Sequence, residues 1–252
     1  MRPLLVLPLL LLPAPALADC VVLLHGLARS DASLLVLQET LEFHGYRVVN
    51  EGYPSEDAPI ADLVGYVGQA AARCGDERLH FVTHSLGGIL VRAWLAQGHP
   101  AHLGRVVMLA PPNHGSEIVD TLAESDLLRR VLTWANGPAA NELGTGDSSV
   151  PNTLPPVDFD LGVIAGDVPI NPLNPIGIGR FDGPNDGTVS VASTRIEGMN
   201  DHIVLTASHT LMMNNPVVLA EVLEFLRNGV FDHGITLTSA LRKLAHPWLQ
   251  RR

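Results

Sequence analysis

The sequence predicts an α/β protein built on a mostly parallel sheet of about six strands with helices on both faces. Three observations carry this. Short apolar, β-branched runs recur at 21–24, 46–49, 79–83, 106–109, 161–165 and 203–205, each too short for a helix. Amphipathic stretches near 32–43, 58–73, 87–97 and 216–227 separate them, so the chain alternates strand and helix as parallel crossovers require. The strand-like runs are apolar almost throughout, as expected of strands covered on both faces.

Two regions break the alternation. Residues 111–156 carry a helix-like piece at 124–134 among Gly-, Asn- and Pro-rich loops, and 166–184 is mostly Pro, Asn, Gly and Ile. Loops of that length in a compact domain are usually functional. The last twenty residues combine Arg242, Lys243, Arg251 and Arg252 with Leu237, Leu241, Leu244, Trp248 and Leu249, which predicts a short amphipathic helix ended before Pro247. Packing on the domain's own surface is the favoured role for this tail, with transient contact to a membrane or lipid surface as the alternative.

With 46% hydrophobic and 17% charged residues in a chain of 252, a sizeable single core is expected. The formal net charge of −10 and the lack of any Lys/Arg-rich run argue against a nucleic-acid partner. The 11 histidines are scattered and form no His-Glu-x-x-His pattern, and the two cysteines lie far apart, so no catalytic metal is expected.

The N-terminus differs from the rest. Arg2 precedes an apolar run at 4–12, followed by Pro13, Pro15 and the small-residue pattern Ala16-Leu17-Ala18. This reads as a secretory signal peptide over 1–18, leaving 19–252 as one domain that is exported, to the periplasm or beyond. The run is too short to span a bilayer, which takes roughly 20 residues. Lipid attachment at Cys20 is disfavoured because Asp19 stands where a small residue is needed. In an oxidising compartment Cys20 and Cys74 are expected to form a disulfide, since each precedes a core strand and neighbouring parallel strands start close together.

The sharpest local signal is Thr83-His84-Ser85-Leu86-Gly87-Gly88, which follows the 79–83 strand and opens a helix. A hydroxyl is a weak nucleophile at neutral pH and needs a base and an oxyanion site. A tight strand-to-helix turn projects Ser85 clear of the sheet and aims the Leu86 N–H at the developing charge. Thr83 replaces the usual first glycine of such a turn, and its branched side chain is expected to open the turn slightly. His25-Gly26-Leu27, after the first strand, supplies the second oxyanion donor in this architecture, the Leu27 N–H. His25 itself is read as a loop brace.

An acid and a base are required in the order Ser, Asp, His. Asp186, in Asn185-Asp186-Gly187-Thr188, follows the fifth strand, and His209, in Ser208-His209-Thr210, follows the sixth. His209 is assigned as the base and Asp186 as the group that fixes its tautomer. Asp201-His202 and Asp182 are the rivals, but His202 opens a strand instead of following one. The run 182–187 lacks a calcium loop's third ligand and terminal glutamate. His84 and His114 are read as pocket or loop-bracing residues.

On these residues, together with Ala110-Pro111-Pro112-Asn113, the chain resembles the α/β-hydrolase family, and within it small bacterial lipases, esterases and lipid-deacylase-like proteins. The resemblance implies carboxylic-ester hydrolysis through an acyl-enzyme on Ser85, acting on a small-molecule or lipid ester without a cofactor. It also implies a minimal version of the fold, because the chain after residue 18 begins almost on the His-Gly strand. An acyltransferase or amidase on the same three residues, and a hydrolase-fold binding protein without turnover, are the alternative readings. The apolar loop segments 170–173 and 176–178 suit the mouth of a pocket for acyl chains.

Overall fold

The structure, a computed structural model, describes residues 19–170 and 180–246, without the side chains of 131, 132 and 135. The expected leader at 1–18, most of the apolar pocket-mouth segment and the tail beyond His246 lie outside the described residues.

All six strands form where the apolar runs predicted them: β1 Cys20–Leu24, β2 Arg47–Asn50, β3 Leu79–His84, β4 Leu103–Leu109, β5 Leu161–Gly166 and β6 Asp201–Leu205. They make one sheet in the order β2-β1-β3-β4-β5-β6, and every adjacent pair is parallel. The expectation of a mostly parallel sheet sharpens to an entirely parallel one. Strands β1, β3 and β5 are buried at every position, which explains their unbroken hydrophobicity.

The helices are α1 Leu35–Phe43, α2 Ile60–Ala72, α3 Leu86–Leu95, α4 Glu117–Ala123, α5 Asp126–Asn136, α6 Val150–Thr153, α7 Val191–Thr194, α8 Pro216–Asn228 and α9 Leu237–Ala245. The sheet separates two apolar clusters. Leu63, Val67, Ile89 and Leu90 of α2 and α3 meet Val22, Phe81 and Val106 on one face. Leu37, Leu41, Val218 and Val222 of α1 and α8 meet Leu23, Val82 and Val107 on the other. Successive residues of one strand thus feed opposite layers, the two-residue period of a strand turned into a three-layer fold.

Local chemistry sets the helix starts. The Asn215 side chain accepts the Val217 N–H at 2.9 Å and Pro216 fills the first turn, so α8 begins abruptly. Helix α9 opens on a reciprocal cap between Thr236 and Ser239 and ends at Ala245, short of Pro247 as its pattern predicted. Lys243 anchors α9, donating to Glu224 of α8 at 2.7 Å and to Asp232 at 3.0 Å. The 111–156 region holds more helix than expected. Helix α4 precedes the predicted helix, because Glu117 and Asp120 favour a first turn there while Glu124 ends it.

Cys20 and Cys74 are joined by a disulfide with their Cα atoms 5.7 Å apart. Cys20 is in register with Leu79 on β3, and Cys74 lies in the turn between α2 and β3. The bridge therefore sits at the N-terminal edge of the sheet.

Candidate active site

Strand order places the candidate residues. From β1 the chain moves outward to β2, whereas from β3 it proceeds to the opposite side. The loops leaving the C-terminal ends of β1 and β3 therefore diverge, and the crevice between them is where open parallel sheets bind ligands. His25-Gly26-Leu27 leaves β1 and Ser85 leaves β3, side by side, since Leu24 pairs with Thr83.

Ser85 adopts φ 52° and ψ −120°, a backbone region that costs a non-glycine residue on the order of 1–3 kcal/mol. Tertiary contacts hold it there. Its N–H donates to the Leu109 carbonyl at 2.9 Å, and its own carbonyl accepts from Gly88 at 3.0 Å. Gly87 is required by its surroundings: a Cβ there would lie 2.6 Å from the Leu24 carbonyl oxygen and 2.9 Å from that of His25. Thr83 is accommodated with the sharp turn intact. It is buried, with its hydroxyl 3.3 Å from where a Cβ on Gly88 would stand.

Leu86 is the first residue of α3, so its N–H is one of the first-turn donors without a partner inside the helix, and it is buried beside Ser85. The His25-Gly26-Leu27 loop passes directly over the serine, and a Cβ on Gly26 would lie 3.1 Å from Ser85 Cβ. His25 braces that loop. Its Nε2 accepts the Tyr53 N–H at 3.2 Å, its Nδ1–H donates to the Gly26 carbonyl at 2.8 Å, and its ring stacks on Tyr53 at 4.1 Å. The Tyr53 hydroxyl donates to the His25 carbonyl at 2.6 Å. Tyr53, absent from the sequence reading, is the other half of the brace, and burial raises its pKa far above the ordinary tyrosine range.

Asp186 and His209 come together from separate loops. His209 Nδ1–H donates to Asp186 Oδ2 at 2.8 Å, which leaves Nε2 with its lone pair. Asp186 Oδ1 accepts the N–H groups of Thr188 at 2.9 Å and Val189 at 2.8 Å. Its main-chain carbonyl accepts the His209 N–H at 3.0 Å. His84, adjacent to Ser85 in sequence, donates from Nε2 to the His209 carbonyl at 3.0 Å, and the two rings lie 4.6 Å apart. Ser85, Asp186 and His209 are each under a tenth exposed.

The rival residues are engaged elsewhere. Asp201 accepts from the His202 and Phe231 N–H groups and from His233, while His202 Nε2 meets the Thr194 hydroxyl at 2.9 Å. Burial and nearby Arg195 push the His202 pKa down to about 4. Asp182 is exposed. His114 is an exposed brace, with Nδ1 2.9 Å from Asn152 Oδ1. Among the described residues, no three His, Cys, Asp or Glu side chains gather as metal ligands.

Arg92 was also missed by sequence reasoning. It lies on α3 and is only 2% exposed, with its guanidinium donating to Asn113 Oδ1, the Asn113 carbonyl and the Pro151 carbonyl, each at 3.2 Å. Asn113 in turn donates to the Thr194 carbonyl at 2.7 Å, and the Ser116 hydroxyl donates to the Thr188 carbonyl at 2.6 Å. These bonds fasten the helix that follows Ser85 to the loop that carries Asp186. The available signal was a lone charge inside the apolar run Ile89-Leu90-Val91-Arg92-Ala93-Trp94-Leu95.

A doubly wound parallel sheet with a strained serine at one strand-to-helix turn, and a histidine–aspartate pair on the loops beyond, defines a class of proteins. The comparisons agree: the profile of the family described as the alpha/beta hydrolase fold matches residues 19–152, and the chain belongs to that family. A triacylglycerol lipase of Pseudarthrobacter phenanthrenivorans is 31% identical over 149 residues, covering 53% of this chain and 46% of the relative. One of Burkholderia plantarii is 31% identical over 149 residues, covering 53% and 41%. The chain thus spans less than half the length of these curated relatives. Among solved structures, a mature lipase of Bacillus licheniformis superimposes with a TM-score of 0.65 at 22% identity, covering 86% of this chain and 94% of that one. A phospholipase of Legionella pneumophila in complex with thio-NAD gives 0.63 at 17% identity, covering 90% and 61%. These likenesses describe the fold.

Proposed function

We propose that the protein is an exported serine hydrolase of carboxylic esters, of the lipase or esterase type. The observation that carries this reading is the buried Asp186–His209 hydrogen bond of 2.8 Å, held by His84 against the strained turn of Ser85. Ser85 Oγ attacks the ester carbonyl while His209 Nε2 takes its proton, and Asp186 stabilises the imidazolium that forms. The tetrahedral oxyanion is met by the N–H groups of Leu27 and Leu86. As the intermediate collapses, the ester C–O bond breaks and His209 returns the proton to the departing alcohol. Water then enters, loses its proton to His209 and attacks the acyl-enzyme, and release of the acid restores the Ser85 hydroxyl.

A lipid-like or short-chain ester is the favoured substrate. The printed names of the relatives, triacylglycerol lipases, support this, as does exposed apolar surface at Leu211, two residues beyond His209, and at Leu127 and Trp134 of α5. An oxidising destination accounts for the Cys20–Cys74 bridge and agrees with the N-terminal leader pattern. Among the described residues no helix is long and apolar enough to cross a membrane.

Turnover of nitrophenyl esters of graded acyl length by the wild type and by Ser85→Ala tests the proposal. Loss of kcat by several orders of magnitude in Ser85→Ala supports it, and full activity there refutes it.

A further inference from the structure

His84 sits where three parts of the candidate site meet, and its chemistry exceeds what packing needs. It is the last residue of β3, next to Ser85, and only 1% exposed. Its ring covers the oxyanion loop so closely that a Cβ on Gly26 would lie 2.7 Å from its Nδ1 and 3.2 Å from its Cε1. Its Nε2–H donates to the His209 carbonyl at 3.0 Å, while Nδ1 is buried without a hydrogen-bond partner. An apolar side chain would fill this space and leave no orphaned nitrogen, since an unsatisfied buried polar atom is costly. What histidine adds is one N–H, directed at the main chain of the base.

The imidazole keeps that N–H and no second one. Burial, then the neighbouring His209 and then Arg29, hold its pKa well below the ordinary histidine range, with His25 acting in the same direction. The ring is therefore neutral at working pH and does not oppose the imidazolium that forms on His209, 4.6 Å away. His209 is then held at three points: its N–H by the Asp186 carbonyl, its Nδ1 by the Asp186 carboxylate and its carbonyl by His84. Two of these come from the acid's loop. The third comes from the residue joined covalently to the nucleophile, so it alone references the base directly to Ser85.

We propose that His84 is a positioning residue, whose hydrogen bond to the His209 carbonyl and contact over Gly26 hold nucleophile, base and oxyanion loop in one register. The inference rests on the Ser85–Asp186–His209 reading. A misplacement of about 1 Å between base and nucleophile can cost on the order of 100-fold in rate, so the bond acts on the chemical step more than on substrate binding.

The test compares His84→Phe and His84→Leu, which remove the donor, with His84→Gln, which keeps a side-chain N–H. Each is assayed with p-nitrophenyl butyrate for kcat, KM and the pH profile of kcat/KM, per folded molecule as judged by thermal melting. Two donor-free variants are made so that the comparison stands on whichever folds. The expected result is a 10- to 100-fold fall in kcat for the donor-free variants, KM within threefold, a shifted acid limb of the pH profile, and recovery of most of the lost kcat in His84→Gln. A donor-free kcat within twofold of wild type overturns the proposal, as does a His84→Gln variant no better than its donor-free counterparts. Ser85→Ala is assayed alongside. Full turnover in Ser85→Ala removes the underlying reading and this inference with it, whereas an inactive Ser85→Ala beside an unimpaired His84→Phe overturns the role of His84 alone.

Discussion

His209 and Asp186 are joined twice, by the side-chain bond from Nδ1 to Oδ2 at 2.8 Å and by the main-chain bond from the His209 N–H to the Asp186 carbonyl at 3.0 Å. Two loops leaving different strands are thereby locked at the pair itself, and the imidazole carries its proton on Nδ1. The lone pair of Nε2 is consequently available to a hydroxyl.

Asp186→Asn tests that arrangement without removing the side chain. An amide oxygen still accepts from Thr188 and Val189, but the amide NH2 faces His209 Nδ1 and forces the proton onto Nε2. Steady-state kinetics are expected to show kcat lowered by roughly 10³–10⁴-fold with KM changed little. Thermal melting within a few degrees of wild type will show that the loss is chemical.

His202 separates stability from catalysis. His202→Asn is expected to retain kcat within about threefold, whereas His209→Ala abolishes turnover, which decides which histidine is the base. The folded pKa of His202 is near 4, below the unfolded value, so the unfolded chain binds more protons between about pH 4 and 6.5. Stability is therefore complete above this window and falls as pH drops through it. Melting curves from pH 7 to pH 4.5 should show a shallower decline in His202→Asn than in the wild type, a difference on the order of 1–2 kcal/mol once solvent screening of this half-buried ring is allowed for. Parallel curves would remove His202 from the account of acid sensitivity.

The disulfide closes 54 residues, for which loop entropy gives about 4 kcal/mol. It lies at the N-terminal edge of the sheet, opposite the candidate site. The double variant Cys20→Ala/Cys74→Ala should unfold at lower denaturant by up to that amount, while kcat below the melting transition stays within about twofold. A large fall in kcat with stability retained would contradict this separation.

Gly87→Ala is predicted to be among the most damaging single-methyl changes in the chain. The added carbon meets the Leu24 carbonyl oxygen at 2.6 Å, and that backbone belongs to a fully buried strand with no room to retreat. Overpacking of this kind costs about 1–3 kcal/mol or more. Because α3 must move to relieve it, kcat should fall together with stability, measured by denaturation and turnover on one preparation.

The sheet was legible because every strand carries a short run of apolar, β-branched residues, and the helices α2, α3 and α8 their characteristic spacing. The candidate site was legible for a related reason: strand ends locate loops, and Ser85, Asp186 and His209 each follow a strand. Tyr53 and Arg92 were not legible. Their roles arise from hydrogen bonds to main-chain carbonyls of loops distant in sequence, and a carbonyl acceptor leaves no mark in the identity of its residue. Helix α4 escaped for another reason. It is only seven residues long and buries none of them fully, so Ile118, Val119 and Leu122 make too short a stripe to read as a helix.

The central claim, that Ser85 attacks an ester with His209 as its base, is tested most directly by covalent trapping. A p-nitrophenyl alkylphosphonate should release one equivalent of nitrophenol per chain, and mass spectrometry of the digest should place the adduct on the peptide bearing Ser85. The same reagent should react orders of magnitude more slowly with His209→Ala. An adduct on another residue, or labelling of His209→Ala at the wild-type rate, would contradict the account.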